Sequence, residues 1–135
     1  MTFLFLRRLM LKKKMNKEML IMRITIFVVR ILSFVECLPD TISGRVISNQ
    51  ISRSASSIGA NYRAACRSKS KRDFINKLKM VEEETDETLY WLDITEECKL
   101  MKPEKLINLR KVGEELLSIF VSSIKTAKEN IRIGT

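Results

Sequence analysis

Four runs of apolar residues, each advancing by alternating steps of three and four, constrain this chain more than any other feature. Such spacing puts apolar side chains on one face of a helix and is incompatible with the two-residue period of a strand. The first run is Ile24, Phe27, Val28, Ile31, Leu32 and Val35, and the second is Ile47, Ile51, Ser54, Ile58 and Asn61. The third is Phe74, Leu78, Val81, Thr85, Leu89 and Leu92. The fourth is Leu106, Leu109, Gly113, Leu117, Phe120, Ile124, Ala127 and Ile131, ending at Gly134.

The breaks between these runs carry recognisable punctuation. Leu38-Pro39-Asp40 ends the first helix, because the residue before a proline avoids the α region. Asp40 or Thr41 is suited to cap the second, Ser70 the third, and Pro103 to open the fourth. Only four Gly and two Pro occur in 135 residues, so the helices must be long and their connections short. Short connections make neighbouring helices antiparallel. The expected fold is all-α, an antiparallel up-down-up-down four-helix bundle over residues 18–135.

Residues 1–17 differ from the rest, with apolar residues first and basic ones after. That is the reverse of a secretory signal, and the segment reads as a poorly packed N-terminal extension. Met10, Met15, Met19 and Met22 are alternative starts for the chain. The apolar stretch 19–35 contains Arg23 and Arg30, each costing roughly 2.5–3.5 kcal/mol at mid-membrane, so a spanning helix is not expected.

The absence of histidine removes the commonest general base and the commonest transition-metal ligand. Cys37, Cys66 and Cys98 have no paired spacing and read as small buried hydrophobes in a reducing cytosol. The serines between Ser43 and Ser70 lack a base partner and a nucleophile elbow, and Gly44 and Gly59 are too isolated for a phosphate loop. Glu84 with Glu87, and Asp93 with Glu96, have helical metal-ligand spacing. Helix two supplies no facing carboxylates, so no metal, cofactor or catalytic residue is assigned.

Charge is distributed unevenly within a net +9. Residues 41–79 hold nine Lys/Arg against the single acid Asp73, while residues 80–98 hold eight acids and no base. In the third helix this order opposes the macrodipole, which points to a role for it other than local stability. Arg53, Asn61, Arg63, Arg67, Lys69, Lys71 and Lys77 gather near the junction of the second and third helices, where guanidinium forks suit phosphate. Tyr62 is placed either to stack on a base or to pack in the core or an interface, and one ring of Tyr90-Trp91 is left for a subunit contact. The small residues from Ser54 to Ala60 permit close helix approach or mark a local break.

Residues 51–65 (ISRSASSIGANYRAA), followed by Arg67-Ser68-Lys69-Ser70, Phe74-Ile75-Asn76-Lys77-Leu78 and residues 84–92 (ETDETLYWL), closely resemble the bacterial four-helix-bundle family. It is also called the 23S ribosomal RNA intervening-sequence protein family. The resemblance spans about residues 24–131. It implies an up-down bundle assembled as a pentameric ring. Some members are encoded within insertions in large-subunit ribosomal RNA genes. A related group serves as accessory proteins of diversity-generating retroelements, whose basic ring is thought to bind nucleic acid and a reverse transcriptase. No enzymatic activity is established for the family.

The leading expectation is therefore a cytoplasmic, non-enzymatic homo-oligomer binding RNA or DNA through phosphate contacts. The alternative is a scaffold or accessory subunit for a partner protein. Peripheral membrane attachment through residues 1–20 ranks behind both.

Overall fold

The computed structural model describes Leu4 and residues 16–134. Within them the chain forms four helices: α1 (Lys17–Val35), α2 (Ile42–Cys66), α3 (Lys71–Glu97) and α4 (Pro103–Arg132). The expectation of a poorly packed extension over residues 1–17 lies mostly outside the described residues.

The first three helices begin where the sequence supplies a side-chain partner for otherwise unsatisfied amides. Asn16 Oδ1 accepts from the Met19 amide at 2.8 Å, Thr41 Oγ1 from Gly44 at 3.1 Å, and Ser70 Oγ from Asp73 at 3.0 Å. Asp40, the other candidate cap of α2, instead accepts from Arg45 at 2.7 Å. Pro103 stands in the first turn of α4, where its missing N–H costs nothing. After α3, Lys99 takes a left-handed conformation, with φ at 56°. The Leu100 amide there reaches back to the Thr95 carbonyl at 3.2 Å, which satisfies one of the last carbonyls of the helix.

Backbones approach between α1 and α2, α2 and α3, α3 and α4, and α4 and α1, so the helices close an antiparallel bundle. The tightest seam is α2 against α3 and the thinnest is α1 against α4. Small side chains cause the first: Ser54 and Ala55 are fully buried, and the Thr88 hydroxyl meets the Ser54 hydroxyl at 2.8 Å. Side chains fill the centre across the diagonal, with the rings of Tyr62 and Phe120 at a centroid distance of 6.1 Å. α2 is unbroken through Ser54–Ala60, so that run serves close approach and not a break.

The core matches the apolar spacing with a few shifts. In α1 the buried line is Leu20, Ile24, Phe27, Ile31 and Phe34, while Leu32 is exposed. Leu116, not Leu117, is the fully buried leucine of its turn in α4. Ile131 is exposed because α4, at 30 residues against 19 for α1, continues beyond its last buried position, Ile124. The cysteines are not the buried hydrophobes expected of them. Cys37 and Cys98 are exposed because each lies just past a helix end, and Cys66 is half-buried at the last turn of α2. Among the described residues no helix is long and apolar enough to cross a membrane.

Two glycines separate steric need from helix propensity. A Cβ on Gly44 would lie 2.0 Å from the Pro39 carbonyl oxygen, a backbone atom that cannot step aside. A Cβ on Gly59 would meet the Ile24 and Val28 methyls at 3.8 and 3.9 Å, which is ordinary contact. Gly44→Ala is therefore expected to lower the unfolding free energy by about 1–3 kcal/mol through overpacking. Gly59→Ala should raise it by up to ~1 kcal/mol. Denaturant titration followed by circular dichroism checks both, and opposite signs are the expected result.

Candidate nucleic-acid interface

The turn at Arg67–Ser70 makes α2 and α3 a helical hairpin, so residues equally far from it on either side become neighbours. Arg53 lies fourteen positions before Arg67, and Glu84 fourteen after Ser70. Arg53 Nη1 is accordingly 3.4 Å from Glu84 Oε1, and its Nη2 donates to Glu87. Lys77 Nζ stands 3.4 Å from Asp73 Oδ1, one turn earlier on the same helix. Asn61 is half-buried, and its Nδ2 donates to the Ser57 carbonyl at 3.0 Å.

Arg63, Arg67, Lys69 and Lys71 are exposed and form no ion pair among the described residues. They occupy the last turn of α2, the connection and the first residue of α3. The structure thus divides the seven residues singled out from sequence. Four form an unpaired cationic end to the bundle, two cations are held by the chain's own carboxylates, and the amide is engaged by its own helix. Arg53 also sits about 15 Å along the helix from Arg63, at roughly 1.5 Å rise per residue.

The acidic half of α3 has a structural use. Glu84 and Glu87 face Arg53 from α2, and Asp93 and Glu96 accept from Arg110 of α4 at 3.0 and 3.1 Å. The carboxylates spaced like metal ligands are therefore occupied by guanidinium groups. These pairs are partly exposed, so each is worth no more than about 1 kcal/mol. Their larger effect is to engage four acids in the middle and at the far end of α3, away from the α2–α3 turn. A similar pair joins the thin seam, where Arg23 of α1 reaches Glu115 of α4 at 2.7 Å.

Tyr62 is 7% exposed and packs on Phe120, so its ring belongs to the core and is closed to a stacked base. Burial, then the neighbouring Cys66 thiol and the charge of Glu18, push its pKa well above the ordinary value of 10.0. Tyr90 is 53% exposed, with its ring edge-on to the half-buried Trp91 at 5.0 Å. The partner of Tyr62 at this end was not visible in the sequence. Lys17, at the start of α1, lines an open pocket with Tyr62, Lys69 and Lys71. Alternating helix direction was the available signal, since it brings the start of α1 to the α2–α3 turn.

A short-looped, antiparallel all-α bundle with one unpaired cationic end is the class of protein defined here. A family model described as 23S rRNA-intervening sequence protein matches residues 20–122. The chain belongs to that family. A crystallised protein of unknown function from the S23 ribosomal protein family of Bacteroides thetaiotaomicron is 34% identical to it. That match has a TM-score of 0.74 and covers 78% of this chain and 98% of the other. No curated protein is significantly similar.

The raised Tyr62 pKa has a defined consequence for stability. A phenol that stays neutral in the folded state contributes stability in full below the unfolded pKa, and loses it as pH rises above about 10. Tyr62→Phe should therefore flatten part of the alkaline fall in unfolding free energy. Urea titrations of both proteins between about pH 8 and 11 measure this, and parallel curves contradict it.

Proposed function

We propose that this protein is a non-enzymatic, cytoplasmic homo-oligomer that binds RNA or DNA through phosphate contacts at the α2–α3 turn. The observation that carries this reading is the exposed group Arg63, Arg67, Lys69 and Lys71, free of ion pairs among the described residues. Cations already paired gain less from a phosphate, because the existing partner must first be released. Arg53 and Lys77 are accordingly secondary contacts, and Asn61 contributes only if its bond to Ser57 opens. Binding of this kind follows backbone charge, with little preference for sequence.

Self-association is supported by a second apolar line on α1. Met22, Ile26 and Val29 are 54%, 49% and 55% exposed. They advance by steps of four and three, on the face of α1 turned away from the line that enters the core. An exposed apolar line on the outer face of a helix is what a subunit contact covers. A pentameric ring is the arrangement that the family resemblance implies, and it would repeat the cationic end in every subunit.

Charge reversal tests the first claim. Arg63→Glu, Arg67→Glu and Lys71→Glu together should reduce affinity for single-stranded RNA at least ~100-fold. Each lost contact should flatten the log affinity against log salt slope by about 0.7. Arg53→Glu alone should have a smaller effect, with the helical circular dichroism signal retained in all variants. Salt-independent binding, unchanged in the triple variant, is incompatible with this function. Capture of a single protein that survives nuclease treatment would instead favour a scaffold or accessory subunit.

Oligomerisation has its own measurement. Ile26→Asp with Val29→Asp should shift the mass in sedimentation velocity to that of one chain. An unchanged mass places the subunit contact elsewhere.

A further inference from the structure

The pocket at the cationic end differs from a merely basic surface. It has a volume of about 460 Å³. Small-molecule sites span roughly 300–1,000 Å³, so the space suits one. Its floor is apolar, with Ala65, Phe74 and the Tyr62 ring, and Lys17, Lys69 and Lys71 stand around it. Two helices begin at its edge, α1 with Lys17 and α3 with Lys71. The first amides of a helix lack intrahelical partners and favour negative charge. The capping side chains Asn16 and Ser70 engage only Met19 and Asp73, leaving the amides of Lys71 and Arg72 without a hydrogen bond among the described residues.

An independent feature is the Tyr62 hydroxyl. The residue is more than nine-tenths buried and lines the pocket, and it has no nitrogen or oxygen hydrogen-bond partner among the described residues. Its polar neighbour is the Cys66 thiol, a weak partner. The high pKa keeps the phenol protonated, and hence a donor, through the neutral range. Glu18, the acid whose charge reaches Tyr62, does not line the pocket, and Asp73 nearby is paired with Lys77.

We infer that this pocket binds a terminal nucleotide, with its phosphate monoester among Lys17, Lys69, Lys71 and the Tyr62 hydroxyl and its base against the apolar floor at Phe74. A monoester carries about −1.5 to −2 charges at neutral pH, whereas a diester within a strand carries one. A pocket lined by three lysines and a phenol donor therefore favours the end of a strand over its middle. The inference rests on the nucleic-acid reading above and adds end selectivity to it. Lys17, which lies outside the α2–α3 turn, separates the two.

The test uses the full chain with three probes: adenosine 5′-monophosphate, a single-stranded oligonucleotide with a 5′-phosphate, and the same strand with a 5′-hydroxyl. Fluorescence anisotropy and calorimetry should give about tenfold tighter binding of the phosphorylated strand, and weak binding of the free nucleotide. Lys17→Ala and Tyr62→Phe should each bring the ratio between the strands close to one. Arg63→Ala with Arg67→Ala should weaken both strands and preserve the ratio. Equal, salt-dependent binding of both strands by the unaltered protein overturns the pocket and leaves the basic surface standing. A ratio unmoved by Lys17→Ala overturns it as well. Binding of the free nucleotide without binding of either strand supports the pocket and removes the broader function.

Discussion

The close seating of α2 on α3 is the constraint from which the rest of this structure follows. Ser54 and Ala55 are small enough to bring the two backbones together, and the buried Ser54–Thr88 hydrogen bond ties their register. Sliding the hairpin by a turn would break that bond, at a cost of about 0.5–1.5 kcal/mol, while each hydroxyl keeps a carbonyl of its own helix, Ile51 for Ser54 and Glu84 for Thr88. With the register set, Arg53 falls between Glu84 and Glu87, and the cations beyond it are carried to the turn. One packing contact thus decides which charges neutralise each other and which remain available.

That division of charge gives the bundle its polarity. Glu84 and Glu87 in the middle of α3 meet an arginine from α2, and Asp93 and Glu96 near its end meet one from α4. At the turn end Asp73 pairs with Lys77, while Arg63, Arg67, Lys69 and Lys71 meet no carboxylate among the described residues, and the starts of α1 and α3 add the positive ends of their dipoles. A net charge of +9 describes attraction to polyanions in general. Its concentration around a pocket lined by Tyr62 is what makes a defined ligand geometry reasonable.

The helices were legible because their signals are local. Periodicity, Pro39, Ser70 and Pro103 located them, and Thr41 and Ser70 cap as their residue types require. The candidate site was legible only in part. Arg63, Arg67, Lys69 and Lys71 stood out as a run, but sequence proximity placed Arg53 and Lys77 in the same group. The acids that remove Arg53 lie 31 and 34 positions away and become its neighbours only through the hairpin. Lys17 was missed for the opposite reason. It belongs to a segment distant in sequence that the alternating helix directions return to the turn. The exposed cysteines were misjudged because residue type says little about a position one or two steps past a helix end.

By itself the amino-acid order determined the limits of the four described helices, most of their inward faces and the total of charge, because each depends on residues within a turn or two of one another. Tertiary structure alone decided which cations stay free, that Tyr62 is closed to stacking, and that the ends of separate helices enclose a pocket. Those outcomes depend on distances between segments far apart along the chain, and only the packed register of the helices supplies them.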